Sequence, residues 1–521
     1  MMASWWPTSV VYQIYPRSFQ DSNGDGVGDI NGIIRRLPIL DRLGVTALWL
    51  SPVYPSPQND FGYDVSDYVE VDPVFGTLEQ LKDLINAAKS RGIRVMMDGV
   101  FNHTSNLHPW FLDSLDPTHR KHSWYHWCDT VPNNWGSVFG GSAWSLHPSN
   151  GMYYLHSFAS QQPDLNWRNP EVREAILSVL RFWFELGISG FRLDVFNCYA
   201  KAIHYPDNPP NPIWWRRLLG HAYPYIGQMH VNDRDVLDLH GYLNEMRIVA
   251  DQYDAVLLGE TLDEAFQYDN AAKYVNPYAL HGAFHFRLLH SKWSCDAFKE
   301  AIDAWILQLD EGQLPVWALS NHDFPRLATR WGKTAVKGAL ALLFMLPGVP
   351  VLYNGDELGM RDGRLKRRDI KDPPGKKYWP FFKGRDGCRT PLYWDSSTHA
   401  GFTEGEPWLP LNPESIVSHC VQQQNDSESI WNWTRKLIQL RQSNPDWVTA
   451  SLKWHETPTS LLHFVREGQV DWHFMLNMGR KPYPIEVSGV CQMTNQIVKV
   501  GDQLAPNEVL CIPVKRPNLE Q

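Results

Sequence analysis

With 521 residues, 43% of them apolar and 20% charged, the chain has the make-up of a folded globular protein of two or three domains, which excludes a disordered or fibrous one. A formal charge of −9 and the lack of a basic tract argue against nucleic acid or an anionic membrane as partner. Seven cysteines, an odd number with no CxxC pair, point to free thiols in a reducing compartment; with no signal-peptide pattern at the N-terminus, the expected location is the cytoplasm.

In chain order, short apolar segments alternate with amphipathic ones. "VVYQIY" (10–15) precedes "INGIIRRLPILDRLG", whose apolar residues recur at helical spacing, and "TALWLSP" follows. Then come "LEQLKDLINAAKSRG", "IRVMMDGVFNH", "PEVREAILSVLRFWFELG" and "ISGFRLDV". Amphipathic helices ending in Gly and feeding apolar strands mark repeated βα units and a parallel sheet. Further strands are expected at "AVLLGET" (255–261), "GAFHF" (282–286), "PVWALSNHD" (315–323) and "VPVLYNGDE" (349–357). Eight strands with intervening helices predict an α/β fold, a (β/α)8 TIM barrel. The apolar run Ala339–Leu346, closed by Pro347, Gly348 and Pro350, is too short to span a bilayer.

Two interruptions set the expected domains. Residues 1–103 and 170–446 form the barrel, the second part carrying a long loop at about 360–430 after the eighth strand. Residues 104–169, rich in Trp, Gly, Pro, Asn and His, form a loop-rich insert after the third strand. From 447 to 521 the βα rhythm gives way to short strands and turns, read as a C-terminal antiparallel β-sandwich.

Catalytic groups of such barrels sit at the C-terminal strand ends. Those ends carry Asp98, Asn102 and His103; Arg192 and Asp194; Glu260; and His322 with Asp323. In a strand, Arg192 and Asp194 share a face, so the arginine can orient a carboxylate and keep it ionised. Glycosidic cleavage needs two carboxylates across a sugar, and this constellation supplies them. The loop "DSNGDGVGD" (21–29) offers oxygens at alternate positions, from Asp21, Asn23, Asp25, the Val27 carbonyl and Asp29. It imitates the start of an EF-hand, but its twelfth position is Gly32 rather than a bidentate Glu. No histidine pattern has a zinc spacing.

"DGVFNH" (98–103), "GFRLDV" (190–195), "GET" (259–261) and "SNHD" (320–323) resemble, in order, the four short motifs of glycoside hydrolase family thirteen, the α-amylase superfamily. "QPDLN" (162–166), "YQIYPRSFQDSNGDGVGD" and "GRDGCRTP" (384–391) are similar to its exo-acting α-glucosidase and oligo-1,6-glucosidase branch. The resemblance spans about residues 5–440. It implies Asp194 as nucleophile, Glu260 as general acid and base, and Asp323 as the carboxylate that binds the sugar's 2- and 3-hydroxyls. The apolar "AVLLG" before Glu260 should raise its pKa, whereas Arg192 should hold Asp194 ionised.

By the same resemblance Tyr63, Asp64, His103, Arg192, His322 and Arg389 bind the terminal glucose, with Arg389 set against Asp64, and Phe139, Phe158 and Phe286 form apolar walls. Val195 is a residue that accompanies α-1,6 cleavage in relatives. A structural Ca2+ (or Mg2+) in the 21–29 loop is implied, and no organic cofactor. Phe324, "TPLYW" and "GAFHF" depart from the usual pattern on the leaving-group side. The expected activity is a retaining α-glucosidase that releases α-glucose from the non-reducing end of short α-1,6- or α-1,4-glucosides such as isomaltose or maltose. The alternatives are an α-glucosyltransferase with the same machinery and a non-catalytic transporter-associated relative. Its partner is a small oligosaccharide or glucoside, with no nucleic acid or membrane, and the chain is a monomer or homodimer.

Overall fold

The computed structural model of the chain describes residues 3–262, 268–457, 460–468 and 470–515. Eight parallel strands form one sheet: β1 (Val11–Ile14), β2 (Ala47–Leu50), β3 (Arg94–Gly99), β4 (Gly190–Leu193), β5 (Val256–Gly259), β6 (Gly282–Ala283), β7 (Val316–Ala318) and β8 (Val349–Tyr353). Their spatial order is β7-β8-β1-β2-β3-β4-β5-β6, and a parallel bridge between Phe284 and Val316 joins the two edges. The sheet is thereby the expected barrel, and each of the eight strand segments named above contributes one strand.

The strands read as continuous apolar runs because both faces are covered. Val11, Ala47, Trp49, Met96, Val256, Leu258, Val316, Val349 and Val351 pack together in the interior, so the barrel is filled rather than hollow. The helices α1 (Ile30–Leu43), α2 (Leu78–Lys89), α3 (Pro170–Leu186), α4 (Leu239–Gln252), α5 (Cys295–Ile306) and α6 (Val336–Met345) lie outside it. Their ends follow local chemistry. Thr77 and Gln80 close a capping box on α2, and Gly187 ends α3 at φ 109°, a left-handed conformation that costs glycine no Cβ clash. Along α3 the buried residues Val172, Ile176, Leu180 and Trp183 form the inward stripe, each worth about 1.5–3 kcal/mol when fully buried.

Between β3 and α3 the chain forms a small antiparallel sheet in which Tyr153–Leu155 lies between Trp127–Cys128 and Trp144–Leu146. A bridge from His103 to Asp164 ties this segment to the end of β3. After α7 (Ile430–Gln442) come four antiparallel strands in chain order: β9 (Leu452–Trp454), β10 (Leu461–Arg466), β11 (Val470–Asn477) and β12 (Val509–Lys515). As expected for the C-terminal part, the strands are antiparallel: this four-stranded sheet is joined by two short two-stranded ladders from the β11–β12 connection, whose Ile485, Cys491, Val498 and Leu504 are buried in the same core as Cys511 and Ile512. Two buried arginines bind this part to the barrel. Arg441 donates to the carbonyls of Phe344 (2.7 Å) and Leu346 (2.9 Å), and Arg466 to that of Met345, where the carbonyls at the end of α6 lack helical partners. No helix among the described residues is long and apolar enough to cross a membrane.

Candidate active site

Register places the first two charges together. Asp98 on β3 pairs with Arg192 on β4, and Leu193 with Gly259 on β5, so the ends of three strands deliver Asp98, Asp194 and Glu260 to one spot. Arg192, fully buried, is the hub. Its Nη1 donates to Asp98 Oδ1 (2.5 Å) and Asp194 Oδ1 (2.8 Å), and its Nη2 pairs with Glu260. Burial alone would lower the Arg192 pKa, but Asp98, Tyr63 and Asp194 more than offset this and raise it.

For Asp194 the electrostatic expectation needs correction. Burial pushes its pKa up to about 6, against the opposing pull of Arg192 and with the help of Asp98. The guanidinium is shared among three carboxylates, so no one of them receives its full field. Arg192 also meets Glu260, a contact that the apolar stretch before Glu260 does not disclose. The residue after Asp194 is unusual as well. Val195 sits at φ 38°, ψ 41°, a left-handed conformation that is strained for a β-branched side chain. With Phe158 and Cys198 it forms an apolar cluster against Val138, Phe139 and Leu262.

Asp323 is held from the other side. Arg389 Nη2 (2.9 Å) and Arg385 Nη1 (3.2 Å) both donate to its Oδ1, and His322 Nε2 lies 3.2 Å from its Oδ2. Burial would raise its pKa, but His322, Arg385 and Arg389 together hold it well below the usual carboxylate range. Burial drops the His322 pKa to about 3, so the ring is neutral. Gln13 Nε2 lies 2.8 Å from its Nδ1, and the Tyr63 hydroxyl 2.6 Å from its Nε2. That hydroxyl donates in turn to Asp98 Oδ2 at 2.9 Å, and the two rings stack at 5.5 Å. The relay spans Gln13, His322, Tyr63 and Asp98 and fixes the floor of the site.

These groups open into a cleft of about 700 Å³. Of the sequence-derived candidates, Tyr63, His103, Phe139, Phe158, Asp194, Val195, Glu260, Phe286, His322 and Asp323 line it. Asp64 does not. It is fully buried and accepts hydrogen bonds from Ser56 Oγ (2.8 Å), the Asn59 amide (2.9 Å) and the Asp60 amide (3.0 Å). Asp64 shapes the loop, and the acid presented to the cleft is Asp60. Arg389 is likewise set behind the wall, spent on Asp323 and on the His322 carbonyl (2.7 Å).

The arginine in the cleft is Arg385, whose Nη2 donates to Asp60 (2.6 Å) and Asp372 (2.7 Å). The expected Arg389–Asp64 clamp is therefore an Arg385–Asp60 clamp. Each stands four positions before the residue chosen from the sequence, Arg385 within the quoted "GRDGCRTP", and nothing in the spacing says which of two acids or two arginines faces inward. Much of the rest of the lining is apolar, with Leu219, Ile226, Phe286, Phe324, Phe381 and Phe382 beside Tyr223, Tyr378 and His290.

The loop at 21–29 is closed by its own hydrogen bonds. Asp21 accepts from the amides of Asn23, Gly24 and Gly26 (each 2.8 Å) and from Thr403. Asp29 caps α1 through the Gly32 amide (2.7 Å), and Asp25 accepts from the Val27 amide (2.8 Å). The donor set is all oxygen, as a hard divalent cation requires. Asn23, Asp25 and Asp29 keep lone pairs for one, while all four of those on Asp21 are engaged.

A barrel whose strand ends join two facing carboxylates, a third acid held ionised and an arginine-closed sugar-sized cleft is a glycoside-acting enzyme. The comparisons give its family. Residues 13–450 match the alpha amylase catalytic domain, and the chain belongs to glycoside hydrolase family thirteen, the α-amylase superfamily. It is 41% identical to a probable alpha-glucosidase of Rhizobium meliloti over 89% of this chain and 87% of that one. To an oligo-1,6-glucosidase of Parageobacillus thermoglucosidasius it is 38% identical over 84% of each. Among solved structures it is similar to the alpha-glucosyl transfer enzyme XgtA, at TM-score 0.91 and 38% identity, covering 98% of this chain and 99% of the other. The isomaltulose synthase of Erwinia rhapontici, solved with sucrose, aligns at TM-score 0.88 and 32% identity over 98% and 99%.

Proposed function

We propose that the protein is a retaining α-glucosyl-transferring enzyme that takes glucose from the non-reducing end of a short α-glucoside and passes it to an acceptor bearing an apolar group. Asp194 attacks the anomeric carbon while Glu260 protonates the departing oxygen; Glu260 then deprotonates the acceptor hydroxyl that displaces Asp194. Adjacent nitrogens of one guanidinium hold the two carboxylates, which favours the short separation of a retaining pair. Asp323, kept ionised by Arg385 and Arg389, is suited to steady positive charge at the transition state.

The observation that carries transfer over hydrolysis is the largely apolar lining of the cleft away from the catalytic acids. It presents Phe286, Phe324 and Tyr378 where the second substrate must enter, a surface that water gains little from and an aryl or alkyl alcohol gains much. The similarity to transfer enzymes and isomaltulose synthases agrees with this reading. The test is proton NMR of maltose and isomaltose turnover with and without benzyl alcohol. The expected result is an α-linked benzyl glucoside exceeding free glucose; glucose alone, in unchanged amount, would refute transfer.

Hydrolysis of α-1,6 bonds is the second reading, favoured by Val195 and by the oligo-1,6-glucosidases among the relatives. It predicts prompt α-glucose, mainly from isomaltose, in the same spectra.

A structural Ca2+ in the 21–29 loop belongs to the proposal. Calcium is expected to raise the melting temperature without changing kcat, and chelation to reverse this; calorimetry showing equal curves would remove the ion. The seven free cysteines, six of them buried, support a cytoplasmic setting.

A further inference from the structure

The C-terminal sheet carries a group of side chains that glucosyl chemistry does not use. His463 lies in the middle of β10, His473 on β11, and His455 just past β9, where its amide donates to the His463 carbonyl at 3.0 Å. The β10–β11 register pairs His463 with Met475 and Val465 with His473, so the two histidines are diagonal neighbours on one face. His455 stands opposite His463, and their rings stack at 4.3 Å. One ligating nitrogen from each ring lies within 4.8 Å of the other two, and His463 Nε2 is 3.1 Å from His473 Nδ1.

We propose that His455, His463 and His473 form a binding site for a borderline divalent transition ion, zinc in the first place, with its fourth position open to water. Three nitrogens bound tetrahedrally at the usual Zn–N length stand about 3.3 Å apart. The His463–His473 pair, at 3.1 Å, is close to that spacing, and a His455 nitrogen lies within 4.8 Å of both. Its ring is exposed, whereas His463 is buried and His473 half-buried, so the site has a rigid base and an entrance. Imidazole is the ligand type that suits zinc, copper and nickel over calcium or magnesium. An ion there would clasp the short edge strand β9 to β10 and β11. Among the described residues, none that lines the catalytic cleft belongs to this sheet.

The test uses the full chain, stripped with chelator and titrated with zinc by calorimetry and with cobalt by visible absorption. The expected result is one ion per chain, the ligand-field bands of four-coordinate cobalt, and a melting temperature raised by zinc. His455→Ala, at an exposed position, should keep the fold and glucosyl activity but weaken zinc binding by about 100-fold, at least matching the loss of an outer partner at known sites. His463→Gln should abolish the cobalt bands. No uptake by the parent chain, or uptake unchanged in both variants because zinc sits on thiols or other histidines, would overturn the proposal.

Discussion

Replacing Asp194 with Gly is expected to lower kcat/KM by about four orders of magnitude or more, roughly 5.4 kcal/mol of transition-state stabilisation. The loss is large because the carboxylate supplies the covalent bond itself, with no neighbour placed to replace it. Asp98 is the nearest acid on the same guanidinium, but it is fully buried and bound to Arg192 and Tyr63. The informative readout is rescue. With an activated α-glucosyl donor and azide, the small anion can occupy the vacated space and attack the same face, and the expected product is β-glucosyl azide. Activity that survives in the variant, or an α-azide, would reject Asp194 as nucleophile.

The unsubstituted enzyme should show the same group in its pH profile. Asp194 must be ionised to attack, and its folded-state pKa is raised to about 6, so kcat/KM should climb with pH through about 6 on the acid limb. Asp323, held well below the usual range, stays ionised throughout that window and adds no limb of its own.

The barrel was legible because each strand is a short apolar run buried on both faces, set between helices with readable caps such as Thr77 and Gly187. The catalytic acids were legible for a related reason: a charged residue in such a run must be at its end and must have a use. Orientation within loops was not legible. Asp60 and Asp64 are both acids in one stretch, and only the tertiary path decides that Asp64 turns back onto the Ser56, Asn59 and Asp60 groups while Asp60 meets Arg385. The pKa of Asp194 was hidden for a similar reason. Sequence pairs it with Arg192, but Asp98 and Glu260 arrive from other strands and divide the same positive charge.

Lys201→Met is expected to be the most damaging substitution for stability. Lys201 Nζ lies 2.9 Å from Asp164 Oδ2 and donates to the Cys198 carbonyl at 2.6 Å, and both side chains are buried. Asp164 also accepts from the Ser157 amide (2.9 Å) and hydroxyl (2.5 Å) and from Asn102 (3.2 Å). The pair thus fastens the insert to the loop that follows Asp194. Burial would raise the Asp164 pKa, but Lys201, His103 and the Ser157 bonds bring it below its ordinary value. Removing the cation leaves a buried carboxylate with hydrogen bonds and no counter-charge, at a cost of about 3–5 kcal/mol. The pH dependence follows from the sign of the shift. A depressed acid stabilises the fold above its unfolded pKa and loses that contribution as pH falls through the folded one. Without Lys201 the carboxyl pKa rises, so the deficit should be largest at neutral pH and shrink in acid, where the group protonates. Urea denaturation of the parent, Lys201→Met, Asp164→Asn and the double variant, at pH 7 and pH 5, measures this. The double variant should be less destabilised than the sum of the two single ones, because neither partner is left charged and alone. Additive losses independent of pH would mean that Lys201 acts through packing and its carbonyl contact instead of through Asp164.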